Sequence, residues 1–128
     1  MMWVRQEIRI LECICLLAAL APTAVACGQR GMSVTVANDS AGALQDVGLK
    51  YRRRGNEVSE AVGAIKAHET RQVRIRFEGE TFLYLLFRDA DGKEHKEDIQ
   101  IYLDGDVHSP ITLHVSAAYV VRCDGCSP

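Results

Sequence analysis

From Met32 onward, apolar and polar residues alternate with a period of two, and this pattern more than any other limits what the chain can fold into. Val34 and Val36 alternate with Ser33 and Thr35, and Val47, Leu49 and Tyr51 alternate with Gly48, Lys50 and Arg52. Val73, Ile75 and Phe77 alternate in the same way with Gln72, Arg74 and Arg76. Successive side chains of a strand point to opposite faces, so each of these segments predicts a half-buried strand. The run from Phe82 to Phe87 is apolar throughout, as a central strand requires. Ile99, Ile101 and Leu103 predict a further strand. Ile111, Leu113 and Val115 predict the last, running on through Tyr119 to Val121. Turn chemistry separates them at Asn38-Asp39-Ser40-Ala41-Gly42, Asp89-Ala90-Asp91-Gly92 and Leu103-Asp104-Gly105-Asp106. Glu57 to Ile65 carries two signals. Val58, Ala61, Val62 and Ile65 fall at helical spacing behind a capping Asn56, yet the same residues also suit an edge strand broken by Gly63. The strand reading is preferred.

Six or seven short strands, with turns about every 8–12 residues, predict an all-β fold, a small antiparallel β-sandwich. The stretch from Met32 to Val115 resembles the immunoglobulin-like and similar sandwich modules of exported bacterial proteins. The resemblance is one of pattern: the paired cysteines and tryptophan of antibody domains are missing, and the sole tryptophan is Trp3. A chain of 128 residues predicts one domain.

The first 26 residues read as a cleaved signal peptide. Arg5 and Arg9 supply the positive start, diluted by Glu7 and Glu12. Cys13 to Ala21 form an apolar run that Pro22 ends, and Ala24-Val25-Ala26 supplies small residues for cleavage. The run is shorter than the roughly 20 residues a spanning helix needs. Ala24-Val25-Ala26-Cys27 resembles the lipobox of bacterial lipoproteins, departing from it where Ala24 replaces the usual leucine. That resemblance implies cleavage before Cys27 and a diacylglyceryl group on its thiol. Gly28, where an aspartate would favour inner-membrane retention in similar lipoproteins, leans toward the outer membrane. The expected organisation is a signal peptide over 1–26, a tether over 27–31, a sandwich over 32–122 and a tail over 123–128 that carries a CxxC motif. The expected location is the cell envelope, lipid-anchored in the outer membrane or facing the periplasm. Plain cleavage after Ala26 would instead leave a soluble periplasmic or secreted protein.

Of five cysteines, Cys13 and Cys15 leave with the signal peptide, and acylation of Cys27 leaves Cys123 and Cys126 as a pair. Cys123-Asp124-Gly125-Cys126 suits a disulfide across a tight turn. The alternatives are a metal site, for which two thiolates are too few ligands, a redox dithiol and free thiols. Asp89, Asp91, Glu94, Asp104 and Asp106 lack the spacing of a calcium loop. His68, His95, His108 and His114 sit in separate segments, with His114 on the face away from Leu113 and Val115. Ser109 and Ser116 lack a glycine-flanked elbow, and no phosphate-binding glycine loop occurs. A net charge of −2 gives no global attraction to nucleic acid.

The expected function is therefore a non-enzymatic binding or accessory module of the cell envelope, with no cofactor. Its partners are the membrane, through a lipid anchor on Cys27, and an envelope protein; neither nucleic acid nor a small-molecule substrate is expected. The rival reading is a thiol-redox or metal-binding envelope protein using Cys123 and Cys126. An immunoglobulin-like strand order would put Lys50, Arg52, Arg74 and Arg76 on the outer face of one sheet, with Tyr84 and Arg88 between them as a basic, aromatic-centred binding face.

Overall fold

The computed structural model describes residues 30–105 and 107–126. The expected signal peptide and Cys27 lie outside the described residues. Eight strands form two four-stranded sheets, an all-β sandwich with no helix among the described residues. The strands are β1 (Met32–Asn38), β2 (Leu44–Arg53), β3 (Asn56–Ile65), β4 (Thr70–Ile75), β5 (Leu83–Arg88), β6 (Glu94–Asp98), β7 (Ile111–Val115) and β8 (Val121–Asp124). One sheet has the order β4-β1-β7-β8, the other β3-β2-β5-β6. All pairings are antiparallel except β1 with β7, which run parallel.

The alternating residues fill the space between the sheets. Met32, Val34, Val36, Leu113 and Val115 from the first sheet face Leu49, Tyr51, Leu83, Leu85 and Phe87 from the second, all at most 2% exposed. Each such side chain contributes about 1.5–3 kcal/mol through burial. The preferred strand reading of Glu57 to Ile65 holds as β3, and Gly63 (φ 98°) sits where the β2–β3 register slips. Burial pushes the Tyr51 phenol above its ordinary pKa, and a hydrogen bond to Glu60 on β3 adds to the rise.

Three expectations change. Ile99, Ile101 and Leu103 do not form a strand: the strand is the polar segment Glu94–Asp98 just before them. An edge strand needs backbone partners on one side only, so it forms without an apolar face, while Ile99 and Leu103 are buried from a loop. The last strand does not run through to Val121. It reverses after Val115, where Ser116 Oγ accepts from the N–H groups of Ala118 and Val120 at 3.2 and 3.1 Å. The returning chain is an eighth strand beyond the six or seven expected. It carries Cys123, so the tail over 123–128 begins inside the sandwich. At the other end, Gly31 of the expected tether already bridges Val107.

A polar plug closes the end of β1. Asn38 is fully buried; its Nδ2 donates to the carbonyls of Gly42 and Ile65 at 2.8 and 3.0 Å. Its Oδ1 accepts from Ser40 N and Ser40 Oγ at 3.0 and 2.6 Å. Every polar atom of that amide is satisfied, which is what lets it sit in the interior.

Candidate binding face

The expected basic face divides between the two sheets. Lys50 and Arg52 on β2 and Tyr84 and Arg88 on β5 do share the outer face of the second sheet, with Lys50 directly across from Tyr84. Arg74 does not: β4 belongs to the other sheet, where Arg74 lies opposite Ser33. Arg76 lies beyond the end of β4. The expected order fails because the chain crosses from one sheet to the other between β3 and β4. His68, at φ 63°, donates its N–H to the Asn38 carbonyl at 2.7 Å, which ties that crossing to β1 and commits β4 to β1 as a neighbour.

Side chains left out of the expected face complete it. Gly48 lies between Ala61 and Leu86 across the sheet, and Leu86 lies opposite Lys96 on β6. Phe82, just before β5, meets Tyr84 with ring centroids 5.0 Å apart. The Arg52 guanidinium stands 4.9 Å from the centre of the Phe82 ring, and the Lys96 ammonium 4.6 Å from that of Tyr84. Cations held on ring faces in this way remain solvated on one side and open to a second partner.

The other cations are committed. Arg88 pairs with Asp46 at 3.3 Å and Glu94 at 3.0 Å, and Lys50 stands 3.8 Å from Glu57. Arg88 therefore anchors the face and adds no open charge to it.

A bulge shapes the surface. The register of β2 slips against both neighbours around residues 45–48, and Asp46 adopts φ 48°, a conformation uncommon for a residue with a side chain. Beside the slip lie two hollows. One, of about 400 Å³, is lined by Asp46, Leu86, Arg88, Glu94 and Lys96. The other, of about 390 Å³, is lined by residues that include Gly48, Ser59, Ala61 and Leu86. Without a side chain, Gly48 leaves the centre of the face sunken.

Cys123 and Cys126 form a disulfide, with Cα atoms 5.8 Å apart. It lies at the end of an edge strand, with no helix among the described residues to lower a thiol pKa through its dipole. With Val121 and Ile99 it lines a cleft of about 190 Å³.

The histidines stay apart. His95 Nε2 meets Asp89 Oδ2 at 2.8 Å, and its ring stacks on Phe87 at 4.6 Å. Asp89 Oδ1 accepts the N–H groups of Asp91 and Lys93 at 2.9 and 3.0 Å. The bond to His95 and those backbone bonds hold the Asp89 carboxyl below its ordinary pKa, and partial desolvation opposes them. His114 is half-buried on the outer face of the first sheet, with Asp39 and Asp124 each 3.0 Å from one ring nitrogen. The two carboxylates thus bracket the ring, one at each nitrogen. His68 belongs to the crossover turn, and His108 Nδ1 lies 2.8 Å from the Ser109 carbonyl.

Asp89 and Glu94, two of the acidic residues weighed for calcium, are spent on these local bonds. Among the described residues no group of three or more His, Cys, Asp or Glu side chains is placed to share a metal ion.

No protein-family model matches the chain, and no curated protein matches it. Among solved structures, the chain is similar to an NMR structure of a protein from Eubacterium rectale. The TM-score is 0.52 at 10% identity over 79% of this chain and 92% of that one. A looser likeness, with a TM-score of 0.40 at 12% identity, covers 77% of this chain and 24% of that chain in a disulfide-locked intermedilysin solved with human CD59. At this identity the first likeness bears on the fold alone, and it is a likeness to a β protein.

Proposed function

We propose that the chain is an exported, non-enzymatic binding or accessory module of the bacterial cell envelope, anchored through acyl chains on Cys27, that engages an envelope partner with the outer face of its second sheet. The observation that carries the reading is the sunken face around Gly48 and Leu86, with Arg52 and Lys96 held over aromatic rings at its margin. A solvated outer face has no need of a bulge, two hollows and ring-stacked cations gathered together. Open cations, rings and an apolar floor are the mixture that protein interfaces favour. The Cys123–Cys126 disulfide is compatible with an oxidising compartment.

Two measurements test the reading. Intact-mass analysis of the membrane fraction should find a chain starting at residue 27 with an acylated thiol, and Cys27→Ser should leave the membrane. Affinity capture from the native envelope should recover a partner with wild type and lose it with Leu86→Arg combined with Lys96→Glu. Capture should also weaken with salt, since exposed charges are screened beyond about 10 Å at 0.1 M. Equal recovery by wild type and variant would remove this face from consideration.

A further inference from the structure

We infer that the pole of the sandwich at which β1 begins lies against the bilayer with its arginines on anionic headgroup phosphates, an inference that rests on the acylation of Cys27 proposed above. Gly31 is fixed in the fold. Its carbonyl accepts the His108 N–H at 3.0 Å, it bridges Val107, and at φ 88° it runs so close to Ile75 that a Cβ would meet the Ile75 carbonyl oxygen. Four Cα steps of at most about 3.5 Å lead back from Gly31, so the Cα of Cys27 stays within about 14 Å whatever path the chain takes. The opposite pole is further away than that: the six residues of β5 span about 17 Å before its turns are added. The tether therefore lets this pole, or a side next to it, meet the bilayer, and keeps the far pole away.

The surface of the pole decides between those orientations. Arg53 ends β2, and Arg54 begins the turn that leads to β3. Arg54 pairs with Glu78 at 2.7 Å, and the positive charges of Arg53 and Arg30 also act on that carboxylate. Three arginines thus act on the Glu78 carboxylate, and Arg76 lies beside Gly31 at the same pole. Arg54 remains 72% exposed despite its partner.

Two of the three large apolar side chains that stand exposed among the described residues, Tyr102 at 64% and Val107 at 60%, lie on the loop at the same pole. Arginine with tyrosine and an aliphatic side chain is the chemistry of the headgroup layer. The opposing carboxylates, Glu80 and Asp104, lie toward Tyr102, whose phenol donates to Glu80 at 2.7 Å. The contact is therefore strongest on the side of Arg53, Arg54 and Arg76.

The test uses the acylated mature chain with one fluorophore on an introduced cysteine, at Asn56→Cys beside this pole or Asp91→Cys at the far one. The chain is placed in vesicles of phosphatidylglycerol and phosphatidylcholine that carry a headgroup-linked quencher. Quenching should be several-fold stronger at position 56 than at 91. The ratio should fall toward one in phosphatidylcholine alone, and in the anionic vesicles when Arg53→Glu and Arg54→Glu are combined, because an arginine near an anionic surface is worth about fivefold in partitioning. With acylation verified by mass, equal quenching at the two positions, or a ratio that ignores the arginine reversal, overturns the headgroup contact and leaves the anchor standing. An unmodified thiol at residue 27 of the native protein overturns the anchor and this orientation with it.

Discussion

The two outer faces of the sandwich differ in kind. On the first sheet, Ser33, Thr35, Gln72 and Thr112 form polar rows in unbroken register, with Arg74 opposite Ser33 at one side and His114 and its two carboxylates at the other. On the second sheet the register slips, the centre is sunken at Gly48, and long side chains stand around it with rings capped by cations. The first face needs only water to satisfy it. The second holds apolar surface at Leu86, which water satisfies poorly, beside cations set on ring faces.

The largest expected effect separates what holds the second sheet from what it presents. Leu85 and Leu86 are neighbours on β5, the first fully buried and the second on the outer face. Leu85→Ala should cost about 2–5 kcal/mol, and Leu86→Ala less than about 1 kcal/mol, in urea unfolding. Similar costs at the two positions would mean that Leu86 belongs to the packing and that the face is structural.

Next in size is the disulfide that closes the turn at the end of β8, the edge strand of the first sheet. A closed loop this short restricts the unfolded chain little, so Cys123→Ser should cost at most about 2 kcal/mol. The same denaturation experiment decides it, and a variant that fails to fold would show that the first sheet depends on its edge.

A smaller effect should appear in acid at the edge of the second sheet. The Asp89 carboxyl is held below its ordinary pKa, so its ionised form favours the folded state. That contribution is fully present above the usual aspartate range, about pH 4, and is lost as pH falls through the lower folded value. Asp89→Asn should flatten this part of the profile of unfolding midpoint against pH. An unchanged acid slope would place the sensitive carboxylate elsewhere, with Glu78, which Arg54 also holds low, the next to substitute.

Much of this architecture was legible in the sequence. Period two located β1, β2, β4 and β7, because each has one buried face; the unbroken apolar run from Phe82 to Phe87 located β5, and Asp-Gly chemistry located the turn at Asp89 to Gly92. β6 was hidden because its residues, Glu94 to Asp98, are charged or histidine throughout and only its backbone pairing makes it a strand. The parallel pairing of β1 with β7 was hidden because alternation records which residues are buried and says nothing about which strand lies alongside. The same gap split the expected basic face. Alternation correctly pointed Lys50, Arg52 and Arg74 outward, but which sheet each belongs to depends on a crossover turn held by backbone bonds to Asn38. Lys96 and Gly48 escaped notice because their importance arises only across strands, opposite Leu86.

The central claim is that the partner meets the second sheet and not the first. Photo-crosslinking in intact cells tests this most directly, with the crosslinking residue placed at Leu86 in one chain and at Thr35 in another. The account predicts a discrete crosslinked species from position 86 that disappears when Lys96→Glu is added, and none from position 35. A species from position 35, or equal products from both positions, would contradict it.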